Sequence, residues 1–301
     1  VFDFPRDIQP ILDRHCVRCH DYEAHGADGP RSGGVILTGD CGPMFSHSYF
    51  ELTWLKQFVD GRNDPKSNLP PRSIGTSASP LMKRLKGLTP TEVDTIRYWI
   101  ESGAPYPGTY GALGSGSIGG YYANSLVETD FDWPETKAAA EVIDRRCASC
   151  HTGPTCLPRA LSDEMDLSFW RPDWNDHRLK HSRHIAFNLT RPAKSLVLLA
   201  PLAKEAGGYS VCTNPPFATT ADAGYQALLA MVTAGQRRLD QIKRFDMPGF
   251  RPPFPYLREM ARYGIIDKVP SDTDPVDPYA LDRAYWQAQW WAPWPGTLAS
   301  R

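Results

Sequence analysis

The pentapeptide Cys16-Val17-Arg18-Cys19-His20 recurs at an offset of 131 residues as Cys147-Ala148-Ser149-Cys150-His151. No other feature restricts the chain so strongly. Two thiols one helical turn apart can each bond the same edge of a porphyrin, and a His directly after the second lies beneath the ring centre. C-x-x-C-H therefore reads as the attachment signature of a c-type haem. A zinc site built from both Cys pairs would leave each adjacent His poorly placed, and thioredoxin-like C-x-x-C motifs do not come in matched pairs. The reading is two covalently bound c-type haems, anchored by Cys16, Cys19, Cys147 and Cys150, with His20 and His151 as proximal iron ligands.

The flanks are related as well. Ile11-Leu12-Asp13-Arg14-His15 precedes the first motif and Val142-Ile143-Asp144-Arg145-Arg146 the second. Further on, Val93, Ile96, Trp99, Ile100 and Gly103 fall at an offset of 132 from Tyr225, Leu228, Met231, Val232 and Gly235. This is an internal duplication in which each unit has a helix running into the Cys-rich turn, an irregular middle, and a later helix with apolar residues at i, i+3, i+4 and i+7. The later helix of the first unit opens on Thr89-Pro90-Thr91-Glu92, an N-cap Thr with Pro at the first helical position and Glu three residues on, and should stop at Gly103.

The predicted fold is mainly α with much irregular structure, as 28 Pro and 24 Gly suggest, in two tandem class I cytochrome c-like domains. The first spans 1–105 and the second 135–250. A Gly/Tyr-rich linker, 106–134, joins them, and a C-terminal extension, 251–301, packs on the domains. That extension holds a short helix around Tyr256 to Tyr263 and an aromatic run from Tyr285 to Trp294, which reads as a packing arm across a haem face or a domain interface ahead of the alternative, an exposed docking patch.

A formal net charge of −1 leaves no electrostatic footprint for nucleic acid. No run of about 18 apolar residues offers a membrane span. Covalent haem attachment takes place outside the cytoplasm, so the expected location is periplasmic or extracytoplasmic. The expected partner is a redox protein or other haem domains, within a larger complex if this chain is one component of it. Cys156 and Cys212 could close a disulfide contributing roughly 4 kcal/mol, and Cys41 reads as a small buried hydrophobe.

Function turns on the sixth coordination position of each iron. For the first haem the distal candidates are Met82, then His47, Met44 and His25. For the second they are Met247 and the cluster His177, His181 and His184, with Met247 and His184 leading; Met231, on the apolar face of a helix, is expected in the core.

The segments Phe4-Pro5-Arg6-Asp7-Ile8-Gln9-Pro10-Ile11-Leu12, Leu69-Pro70-Pro71, Asn188-Leu189-Thr190-Arg191-Pro192-Ala193-Lys194-Ser195 and Ala200-Pro201-Leu202-Ala203-Lys204-Glu205-Ala206-Gly207-Gly208, with Tyr256 to Gly264, resemble the dihaem C-terminal domain of hydrazine-synthase alpha-subunit-like proteins. The resemblance covers most of the chain and implies two c-haems and redox work, without implying hydrazine synthesis. Relatives often carry Gly-His-His before the Thr-Pro-Thr-Glu helix, where this chain has Lys86-Gly87-Leu88. The family's Tyr ligand after the first motif has no clear counterpart, since Tyr22 is out of register. Two functions are thus open: a dihaem electron carrier, or a haem enzyme with an open first haem, peroxidase-like or acting on a small nitrogen compound, in which Arg18 or Arg72 would polarise a bound ligand.

Overall fold

The computed structural model describes residues 2–23, 34–59, 68–112, 129–167, 173 and 175–290. Among these the chain is helical and irregular, and the β pairing consists of isolated bridges, Cys41 with Ser46 and Leu202 with Phe217.

A single wide turn at Phe4–Ile8, capped where Asp3 Oδ1 accepts from Arg6 N at 3.1 Å, runs straight into α1, Gln9–His15. Helix α2, His47–Trp54, starts where the Ser46 hydroxyl accepts from Tyr49 N at 3.3 Å. Helix α3, Pro90–Glu101, carries the expected capping box: Glu92 N donates to Thr89 Oγ1 at 3.3 Å and Thr89 N to Glu92 Oε2 at 2.9 Å. In the second unit α4 is Pro134–Arg146, the single turns α5 and α6 are Arg183–Ala186 and Leu196–Leu199, and α7 is Ala223–Ile242. Helices α8, Phe254–Arg262, and α9, Pro278–Trp290, belong to the C-terminal extension.

The duplication holds at the level of packing. Ile96, Trp99 and Ile100 of α3 are buried against Ile11 and Leu12 of α1, as Leu228, Met231 and Val232 of α7 are against Val142 and Ile143 of α4. Each such side chain removed from water contributes ~1.5–3 kcal/mol. Met231 is fully buried, as its position on the repeat requires. The aligned glycines do different work. Gly103, at φ +91°, ends α3 in the left-handed region with open space around it. Gly235 lies inside α7, which continues for two further turns, and a Cβ there would overlap Leu161 Cδ1 and sit 3.0 Å from Leu189 Cδ2.

The expectation of two domains in tandem needs correction on one point, because the units share their interior. Tyr22, Ile36 and Phe50 form one cluster with Leu179, Ile185, Leu196 and Leu199, and Cys41 is buried in the core of the second unit. The backbone crosses too: Leu189 N donates to Cys41 O at 2.8 Å. The start of the 106–134 segment is also core rather than linker. Tyr106 is buried in the first cluster, its hydroxyl donating to Asp246 Oδ2 at 2.5 Å and accepting from Ser46 N at 2.8 Å. Residues 113–128 of that segment lie outside the described residues.

The C-terminal extension builds a small cluster from Tyr256, Leu257 and Met260 with Leu281 and Tyr285. It docks through buried Asp3, which accepts from Tyr279 Oη at 2.7 Å and Gly108 N at 2.9 Å. Tyr285 packs within the extension's own cluster, while Trp286 stays 38% exposed beside Tyr110; Trp291 to Trp294 are outside the described residues. No described helix is long and apolar enough to cross a membrane.

Candidate functional site

Both Cys-rich turns grow out of a helix end by the same hydrogen bonds. In the first, Cys16 N and Val17 N donate to Leu12 O at 2.8 and 3.0 Å, and Cys19 N and His20 N to Cys16 O at 3.1 and 3.0 Å. In the second, Cys147 N and Ala148 N donate to Ile143 O at 2.9 and 3.0 Å, and Cys150 N and His151 N to Cys147 O at 3.1 and 2.9 Å. The residues that close the helices, Cys16 at φ −114°, ψ −42° and Cys147 at φ −117°, ψ −32°, match as well. Each turn therefore presents two thiols and an imidazole in one order and one backbone geometry, the donor set that a covalently attached haem requires.

Around the imidazoles the two turns differ. His151 Nδ1 is tied to Thr155 O at 2.8 Å, which fixes the tautomer with its proton on Nδ1 and leaves Nε2 with a free lone pair. His20 Nδ1 is buried without a partner, so the first imidazole lacks the tie that orients the second. The ring of His181, at the end of the one-turn helix His177–His181, lies 5.5 Å from that of His151, centre to centre, with the planes at 80°. Burial, then the neighbouring His151 and Lys180, lowers the pKa of His181 and keeps it a neutral imidazole. His177 is exposed.

The leading distal candidates are placed elsewhere. His184, three residues beyond His181, turns into the junction between the units, stacked on Phe50 at 4.5 Å and 5.8 Å from Phe45, with Nδ1 buried and unpaired. His47 has both ring nitrogens engaged, Nδ1 with Tyr22 Oη at 2.7 Å and Nε2 with Phe187 O at 2.9 Å. In the first-unit cluster, Met82 is half-buried on the rim that also holds Cys16 and Val17. Met247 is half-buried on the rim of the cluster that holds Cys147. Met44 is half-buried, Arg18 and Arg72 are exposed, and His25 lies outside the described residues.

Sequence reasoning had no means of finding the polar network beside His47. Asn188 Nδ2 donates to Tyr22 Oη at 3.0 Å and to Asp40 Oδ2 at 2.6 Å, and Arg191 pairs with Asp40 at 2.6 Å. Burial, then the nearby Asp40 charge, pushes the Tyr22 phenol well above its ordinary pKa, so it stays protonated.

All seven cysteines are free thiols, so Cys156 and Cys212 are not joined. Cys156 Sγ instead lies 3.8 Å from Met165 Sδ. Burial, and then the electrostatic influence of Cys212, lifts the Cys147 thiol to about 11. Buried Cys41, also pushed up to about 11 by burial, behaves as the small hydrophobe expected of it. Among the described residues no group of three or more His, Cys, Asp or Glu side chains could hold a bare metal ion.

The surfaces around the turns differ in charge. Near the second, Arg145, Arg146 and Arg159 pair with Glu141, Asp222 and Asp144 at 3.7, 2.8 and 2.6 Å. Near the first, Arg14 and His15 share Glu92, both at 3.0 Å, but the exposed Arg18 makes no ion pair among the described residues.

The chain matches no family model, and neither a curated protein nor a solved structure is found similar to it.

Proposed function

We propose that this chain is a dihaem c-type cytochrome, which passes single electrons between its two haems and a redox partner outside the cytoplasm. One observation carries the reading: two Cys-x-x-Cys-His turns, 131 residues apart in sequence, are built with the same hydrogen bonds to within 0.1 Å. When bound, each haem supplies a one-electron Fe(III)/Fe(II) couple. The protein's part is to hold it. Cys16, Cys19, Cys147 and Cys150 anchor the porphyrin edges, and His20 and His151 face the irons. The Thr155 carbonyl raises the basicity of His151 through its Nδ1 proton, while His20 lacks such a bond.

The partner reading follows from charge. Arg18, exposed on the first turn and in no ion pair among the described residues, gives that turn a cation that suits an acidic patch on a redox protein. The resemblance to the dihaem domain of hydrazine-synthase alpha-subunit-like proteins points the same way. A haem enzyme with an open first site is the second reading, favoured by one fact: both nitrogens of His47 are already bonded, leaving Met82 the foremost first-haem candidate.

The test is to produce the chain with a c-type maturation system and measure haem by the pyridine haemochrome. Two covalent haems per chain that survive denaturation are expected, falling to one in Cys147→Ser/Cys150→Ser; none would overturn the reading. Carbon monoxide then separates the two functions. No Soret shift in the reduced protein marks a carrier, and a shift worth one haem marks an open site.

A further inference from the structure

We infer that His181 is the second axial ligand of the haem iron held by His151, which makes the haem of the second unit six-coordinate through two imidazoles. This rests on the dihaem reading above and assigns the residue that closes one of its two sites.

The geometry carries it. An iron bound on both faces by imidazole, with metal–nitrogen bonds of about 2 Å, sets the ring centres about 6 Å apart. His151 and His181 stand 5.5 Å apart with their planes at 80°, close to that separation. No hydrogen bond from another described residue holds either the His181 ring or His151 Nε2, whereas His151 Nδ1 is already committed to Thr155 O.

The backbone makes the placement specific. Asp176 caps the His177–His181 turn, accepting from Arg178 N at 2.9 Å, and the Arg178 guanidinium reaches Met165 O at 2.6 Å. That turn packs against Gly153–Thr155, the segment that holds His151. His184 lies in a separate helix, α5, and is stacked on Phe50, so the two histidines three residues apart serve different places. Bis-imidazole ligation leaves no exchangeable position and gives a lower potential than a His/Met pair. Any ligand-binding chemistry of the protein is thereby confined to the haem on Cys16 and Cys19.

The experiment compares the full-length, haem-loaded protein with His181→Ala and His181→Met, and uses His177→Ala as a control. Haem content is measured first, so a chain without haem overturns the cytochrome reading itself rather than this assignment alone. With two haems present, His181→Ala should convert one haem from low to high spin by electron paramagnetic resonance. It should also bind one more equivalent of carbon monoxide than wild type, and added imidazole should reverse both changes. His181→Met, which keeps bulk and a ligand atom, should gain a sulfur-to-iron charge-transfer band and a higher potential at one haem. His177→Ala should match wild type. Two haems with unchanged spin state and carbon monoxide stoichiometry in both His181 variants would overturn the assignment.

Discussion

Arg244 and Asp246, two residues apart at the end of the second unit, form a 2.7 Å ion pair whose side chains are only 2% and 3% exposed. The remaining bonds of the pair go to the first unit. Arg244 Nη1 donates to Gly42 O at 3.0 Å, and Asp246 Oδ2 accepts from Tyr106 Oη at 2.5 Å. The pair is a clasp between the halves rather than a local turn.

Breaking it from one side should be costly. Asp246→Ala strands a buried guanidinium and is expected to lower stability by about 3–5 kcal/mol, while the double replacement Arg244→Met/Asp246→Leu recovers most of that loss. Denaturant unfolding of the three proteins checks this; equal loss in single and double variants would mean that the pair acts independently of its charges.

His184 should make the protein acid-sensitive. Burial, then Arg183, His47 and Arg244, holds its pKa well below the ordinary 6.5. The unfolded chain therefore takes up a proton that the folded chain refuses, and stability falls as pH drops below 6.5, by at most about 1.4 kcal/mol per unit from this group. His184→Phe keeps the stack on Phe50 and removes the unpaired Nδ1, so it should be more stable at neutral pH by about 1 kcal/mol or more. It should also melt with a flatter pH profile between 6.5 and 5.

Glu92 has the opposite sign. The Thr89 backbone N–H first, then His15, the Thr89 hydroxyl and Arg14, hold its carboxyl down at about 2 against an ordinary 4.5. Its contribution is complete above 4.5 and is lost as pH falls toward 2. Glu92→Gln, which can still form a capping box, should melt below wild type at neutral pH, and the two curves should converge across that window.

The paired glycines should fail for different reasons. Gly235→Ala is expected to cost about 1–3 kcal/mol by overpacking against Leu161 and Leu189, despite a gain of up to ~1 kcal/mol in helix propensity. Gly103→Ala meets no neighbour and should lose about 1–2 kcal/mol from backbone strain alone. A compensating change, Leu161→Ala, should rescue only the first, as thermal melts of each pair would reveal.

Local features of the fold were legible. The capping box at Thr89, the amphipathic faces of α3 and α7 and the two Cys-rich turns each depend on residues within a few positions of one another, and spacing reports such relations directly. The junction was not. Tyr22, Ile36 and Phe50 meet Leu179, Ile185, Leu196 and Leu199 through contacts that follow no period, so nothing near Cys41 announces that it belongs to the core of the other unit. The same limit governs the histidines. His181 and His184 look alike in sequence, and only the change of helix type between them sends one toward His151 and the other toward Phe50.

The backbone bond from Leu189 to Cys41 and the Arg244 bond to Gly42 stitch the two units together through main-chain groups. On the dihaem reading proposed above, both haems would therefore be carried by units that share an interior rather than by independent beads.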